Sequence, residues 1–183
     1  MNINWDKFQT LVHHVCNLAS PNQSELGAVK LNKVLWYADS IHFLEHGESI
    51  TGETYVKQPL GPVPKHVLQA LKNLEVKNLV RRGKVEHFGL MKNEYFCVDE
   101  PDISCFSSEQ QSLIQTAYNH VCKNHTATSI SEETHGIIWS IAEIGEEIPL
   151  ATVFASSVGE IDETDMDWMR NSPRKNSTTA EYA

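Results

Sequence analysis

Nine histidines and four cysteines are the side chains of this 183-residue chain with the widest chemical reach, and their spacing decides what chemistry is open to them. His42 and His46 stand i and i+4 on one helix face, a spacing that can grip zinc. The intervening Phe43-Leu44-Glu45 does not make the HExxH pattern. His13 and His14 are adjacent and face apart. His120, Cys122 and His125 cluster in sequence, but a helix sends His120 and Cys122 to different faces. A third and fourth ligand at workable spacing are missing, so no metal and no cofactor are expected. The histidines are expected to hydrogen-bond at helix ends or to be solvated.

Nucleophilic catalysis needs a nucleophile, a base and an orienting group together. The chain carries no GxSxG, no P-loop lysine motif and no GxGxxG. Gly61-Pro62 makes a poor phosphate cradle, because proline supplies no amide. The chain therefore reads as a non-enzyme. Asp39 and His42, three apart on one helix face, can interact. They form either a histidine poised as a base or a part-buried pair that pins the helix to the loop after it. His135 and Trp139, four apart, can pack ring on ring. His42 and His135 are the best candidates for a shared polar centre. Cys16, Cys97, Cys105 and Cys122 contain no CxxC and read as reduced thiols of a cytoplasmic protein.

The elements that must position these groups are mainly helical. Residues 4–19 carry an apolar stripe of Phe8, Leu11, Val12, Val15 and Leu18. Residues 26–46 form a second amphipathic helix, with Leu31, Val34, Leu35, Ala38, Ile41 and Phe43/Leu44 inward and Gly47 as its left-handed stop. A stiff glycine/proline loop through Leu60-Gly61-Pro62-Val63-Pro64 follows. A third helix starts near Val63 or Pro64, with Val67, Leu68, Leu71 and Leu74 inward. Val85–Gly89 and Glu94–Val98 make a short hairpin, with Leu90–Asn93 between them. Ser107 caps a helix running to about Lys123. Thr128 or Ser129 caps another, whose core side is Ile137, Ile138, Ile141 and Ile144. Gly145 stops it. The fold class is mainly α (α+β): a compact helical domain of about five helices with a small β-hairpin.

The stretch Leu31-Asn32-Lys33-Val34-Leu35-Trp36-Tyr37-Ala38-Asp39, with His42, then Gly47, Ile50-Thr51-Gly52, Tyr55 and Gly61-Pro62-Val63-Pro64, resembles the Panacea domain, the SocA-like antitoxin domain. Thr134-His135, Trp139, Gly145 and Ile148-Pro149 extend the resemblance, which covers roughly residues 5 to 155. Gly136-Ile137-Ile138 departs from the more polar residues of the pattern. The resemblance implies an antitoxin that neutralises a cognate toxin, encoded by an adjacent gene, by direct protein–protein binding. A related version of the family acts as a proteolytic adaptor that delivers its toxin to a protease. The residues expected to bind or support the partner are Trp36, Tyr37, Asp39, His42, Thr51, Tyr55, Gly61, Pro62, His135 and Trp139. Whether Tyr55 is a surface anchor or a buried one stays open.

A second function class competes. Lys65, Lys72, Lys77, Arg81, Arg82 and Lys84 fall along the third helix and hairpin, the outline of a winged-helix DNA-binding regulator. Glu75, Glu86 and Glu94 interleave with them, and the net charge of −9 argues against broad phosphate binding. No stretch approaches the length needed to span a membrane, and no signal segment opens the chain. The domain is expected over residues 1–158. Residues 159–183 form an acidic run around Met166, Trp168 and Met169, then a polar tail expected to be partly disordered.

Overall fold

The computed structural model describes residues 2–87, 89–135, 139 and 142–153. Asn4 accepts a hydrogen bond from Lys7 N and opens helix α1, Trp5–Leu18. Its buried side is the expected stripe of Phe8, Leu11, Val12 and Val15. Helix α2, Ala28–His46, ends at Gly47 with φ 75°, the left-handed conformation that glycine adopts without Cβ strain.

Helix α2 is not simply amphipathic. Besides the expected Leu31, Val34, Leu35 and Ala38, it buries Lys33, Trp36, Asp39, Ser40 and His42, while Leu44 is exposed. The cause is its central place: α1, α4 and α5 all pack on it, as does strand β2. Asp39 and His42 bind the backbone of the turn that follows, whereas Lys33 Nζ and Ser40 Oγ are buried without a hydrogen-bond partner among the described residues.

The glycine/proline segment is largely a strand rather than a loop. Strand β1, Tyr55–Gln58, turns at Pro59-Leu60 into antiparallel β2, Gly61–Pro64. The strand order β2-β1-β5 leaves β2 at an edge, where proline's missing N–H takes nothing from the ladder. Strand β5, Glu147–Ile148, pairs with Val56 and Tyr55 on the other side of β1.

Helix α3 therefore starts later than its prolines suggest, at Val67, and runs to Val76. Val67, Ala70, Leu71 and Leu74 face the core, and Leu68 is exposed, one helical step off that stripe. Asn78, with φ 54°, turns the chain into the hairpin of β3, Val80–His87, and β4, Leu90–Cys97. Leu90–Asn93, expected between the strands, belong to β4, so the hairpin is longer and its turn tighter than the alternation suggested.

Helix α4, Ser108–Tyr118, opens with a full capping box between Ser107 and Gln110. It continues as a wide π-turn through Asn119–Lys123. Helix α5, Ala127–Glu133, is capped by Thr126 with Ser129 reciprocating, not by Thr128 or Ser129 alone. Ser131 lies inside the helix and is buried. Gly145 turns with φ 87°, and Ile144 beside it is exposed rather than core. Ile137, Ile138, Ile141 and the tail lie outside the described residues. The result is a five-helix α+β fold with two small antiparallel sheets among the described residues.

Candidate functional site

Asp39 anchors the turn after α2. It is fully buried and accepts hydrogen bonds from Thr51 N at 3.0 Å, Thr51 Oγ1 at 2.6 Å and Tyr55 Oη at 2.8 Å. Burial pushes its carboxyl up to about 6, against the pull of those three donors. Tyr55 Oη also reaches Leu35 O at 2.8 Å, and the Tyr55 ring meets Trp36 edge-on at 5.0 Å. Tyr55 is 1% exposed, so it is a buried anchor. Asp39, Thr51 and Tyr55 thus form one hydrogen-bonded unit that fixes the start of β1 on α2.

His42 takes other partners. Its Nδ1 lies 2.6 Å from Glu48 O, and Gln110 Nε2 lies 3.2 Å from its Nε2. The consistent tautomer carries the proton on Nδ1, donating to Glu48 and accepting from Gln110. His42 therefore ties the end of α2 to the start of α4. His135 stacks on Trp139 with ring centres 3.6 Å apart, and its Nε2 lies 3.3 Å from Ser131 Oγ. Burial lowers its pKa, and the nearby Lys33 charge lowers it further. His42 and His135 have separate partners and make no shared polar centre. Nor are the histidines mostly solvated, since His13 and His14 are both buried. His13 Nε2 donates to Asp99 O at 2.8 Å.

A groove of about 230 Å³ brings several expected residues together. Its lining includes Trp36, Tyr37 and Ile41 of α2, Pro62 of β2, Ile148 of β5, and Glu133, Thr134 and Trp139. Its lining is mostly apolar and aromatic. Lys57 holds its ammonium 4.2 Å from the Trp139 ring centre, a cation–π contact. Tyr37 Oη donates to Glu133 at the rim. Burial raises the Tyr37 hydroxyl well above its ordinary value, and the Glu133 carboxylate raises it further.

Lys33 was legible only as part of a helix pattern. It is 1% exposed, and its Nζ has no hydrogen-bond partner among the described residues. Burial alone brings its amine down to about 7. It lies under the backbone of Gly61, whose φ of +104° is open to glycine and strained for other residues.

The basic face is partly neutralised. Arg82 Nε donates to Glu75 Oε1 at 2.8 Å, Lys65 pairs with Glu147 at 3.4 Å, and Arg81 turns to Asn78. The four cysteines are free thiols. Among the described residues no helix is long and apolar enough to cross a membrane.

No curated protein and no solved structure matches the chain. A family model does. Residues 31–140, more than half of the chain, match the antitoxin SocA-like, Panacea domain, a span that runs from the start of the Leu31–Asp39 motif to the segment of Trp139. The groove and the Asp39 unit are both built largely from this span, and the chain belongs to the SocA-like, Panacea-domain antitoxin family.

Proposed function

We propose that this protein is an antitoxin that neutralises a toxin by direct contact, and that the groove of Trp36, Tyr37, Pro62 and Trp139 receives the toxin. Family membership supports the antitoxin role. The observation that carries the choice of surface is convergence. Trp36, Tyr37, Pro62 and Trp139 come from three separate parts of the sequence and line one groove. Aromatic side chains on a packed scaffold offer large contact area at low ordering cost, which is how interface anchors work.

Asp39, Thr51, Tyr55 and Gly61 have a supporting role in this reading: they hold β1 and β2 against α2 from beneath. His42 and His135 set the ends of the helices around the groove. The occupant is a toxin segment that presents an apolar side chain, matching the lining.

Co-expression with the product of the neighbouring gene tests this. The wild type should rescue growth and co-purify with that product. Ile41→Glu and Trp139→Ala should fold, lose the complex and lose rescue. Rescue that persists with both variants would place the contact elsewhere. The helix–hairpin outline of α3, β3 and β4 motivates one parallel measurement, a gel shift at moderate salt. Specific DNA retention there, without a protein complex, would favour the regulator reading.

A further inference from the structure

We infer that His120, His125 and Glu133 form a binding site for one divalent transition-metal ion of the zinc type. The inference goes beyond the antitoxin reading and does not depend on it.

Three ligand-type atoms, from the π-turn after α4, the link to α5 and the end of α5, converge here. His120 Nε2 lies 2.8 Å from Glu133 Oε1, and His125 Nε2 lies 3.2 Å from Glu133 Oε2. One nitrogen from each histidine and one carboxylate oxygen all fall within 4.8 Å of one another. A tetrahedral zinc ion with bonds of about 2.1 Å needs its ligand atoms about 3.4 Å apart. The set is close to that spacing before any ion arrives. The His120 and His125 rings meet edge-on at 4.7 Å, so both nitrogens address the same carboxylate.

The backbone that delivers these side chains is unusual in the same place. His120 sits in the π-turn of Asn119–Lys123, where α4 widens instead of continuing regularly. Such single π-turns are rare and are frequent at functional sites. The π-turn also offsets the register that separates His120 from its neighbours in an ordinary helix. His125 follows in the short link to α5, and Glu133 closes α5.

An outer contact completes the arrangement. Tyr37 of α2 donates its hydroxyl to Glu133 Oε1 and packs its ring edge-on to His120 at 5.0 Å. Ligating carboxylates are usually held by such partners, which fix their orientation. The three side chains are 37%, 21% and 38% exposed, which leaves a route for an ion from solvent.

Two imidazoles and one carboxylate suit zinc and its neighbours and not calcium or magnesium, which take oxygen. Three protein ligands leave a fourth position open to water or to a group from a partner. Each imidazole must present a bare Nε2 to the ion, so protons compete with the metal for the site. A second cluster, Glu45, His46 and Glu109, is exposed throughout, offers one imidazole and serves as the control.

The test is titration of tag-free, chelator-treated full-length protein with Zn2+ by calorimetry and with Co2+ by visible absorption. The expected result is one ion per chain, with d–d bands of a low-coordinate Co2+ site and a rise in Tm with Zn2+ concentration. His125→Gln and Glu133→Gln should each weaken binding more than tenfold, with unchanged circular dichroism. His46→Gln should leave it unchanged. Tyr37→Phe should weaken it less than either ligand variant. If a ligand variant fails to fold, the Tm rise and stoichiometry of the wild type still decide. No saturable binding to the wild type overturns the proposal, as does binding that survives both ligand variants or that disappears with His46→Gln.

Discussion

A Cβ added at residue 61 would lie 1.8 Å from Lys33 Nζ. The turn into β2 and the buried amine of α2 therefore occupy space that only a glycine leaves free. The same Cβ would stand 2.9 Å from Thr134 Oγ1, so the site is closed from the α5 side as well. Gly61→Ala adds this overlap to a positive φ and should cost at least ~2 kcal/mol in denaturant unfolding. Pairing it with Lys33→Ala should recover part of the loss. An additive double variant would show that the lysine yields freely.

Lys33 should also leave a mark on pH dependence. Its folded pKa is down to about 7 from an ordinary 10.5. Between those values the unfolded chain binds a proton that the folded chain does not, so stability rises with pH across this window. Lys33→Met removes that term. The variant should gain Tm over the wild type at pH 7, and the gap should narrow towards pH 10. Parallel Tm profiles would show that the amine stays protonated in the fold.

Asp39 gives the opposite slope. Its folded pKa of about 6 is raised from 3.8, so between those values the folded state holds the extra proton. Its contribution is greatest below pH 4 and declines as pH rises through about 6. Asp39→Asn should flatten that part of the stability profile. Asp39→Ala strands the Thr51 amide and leaves the Tyr55 hydroxyl with Leu35 O alone, and should cost about 3 kcal/mol or more by urea unfolding.

Tyr55→Ala separates scaffold from interface. With the ring buried, the variant should lose about 3 kcal/mol or more of stability. The folded fraction should bind the partner with near-normal affinity. Tyr55→Phe keeps the ring and loses the hydroxyl bonds to Leu35 and Asp39, at a cost of about 1–2 kcal/mol. A Tyr55→Phe variant that is fully stable but binds tenfold more weakly would put the hydroxyl at the interface.

Local chemistry made some elements readable in the sequence and concealed others. Gly47 and Ser107 mark helix ends through their own conformational preferences, and the structure uses each as expected. The capping residue of α5 was misplaced because Thr126, Thr128 and Ser129 are all competent caps. Pro62 and Pro64 read as loop because proline opposes central strands, yet an edge strand admits them. Asp39 and His42 read as a pair with each other, and periodicity gives no sign that Lys33 and Ser40 are buried as well. Only the surrounding helices, the β1 turn and Gln110 reveal that these residues are covered. The approach of Glu133 to His120 depends on the π-turn and on α5 folding back, and neither has a short-range sequence signal.

The pairing of β5 with β1 has a consequence during synthesis. Tyr55 waits for Ile148, about 90 residues further along the nascent chain. At ribosomal rates of 5–20 residues per second, that interval is roughly 5–18 s. Until it ends, β1 has a partner on one side alone, and its other edge is a template for any extended strand nearby. The Tyr55–Val56 edge is then open to pairing with another chain, and β5 is the segment whose arrival closes it.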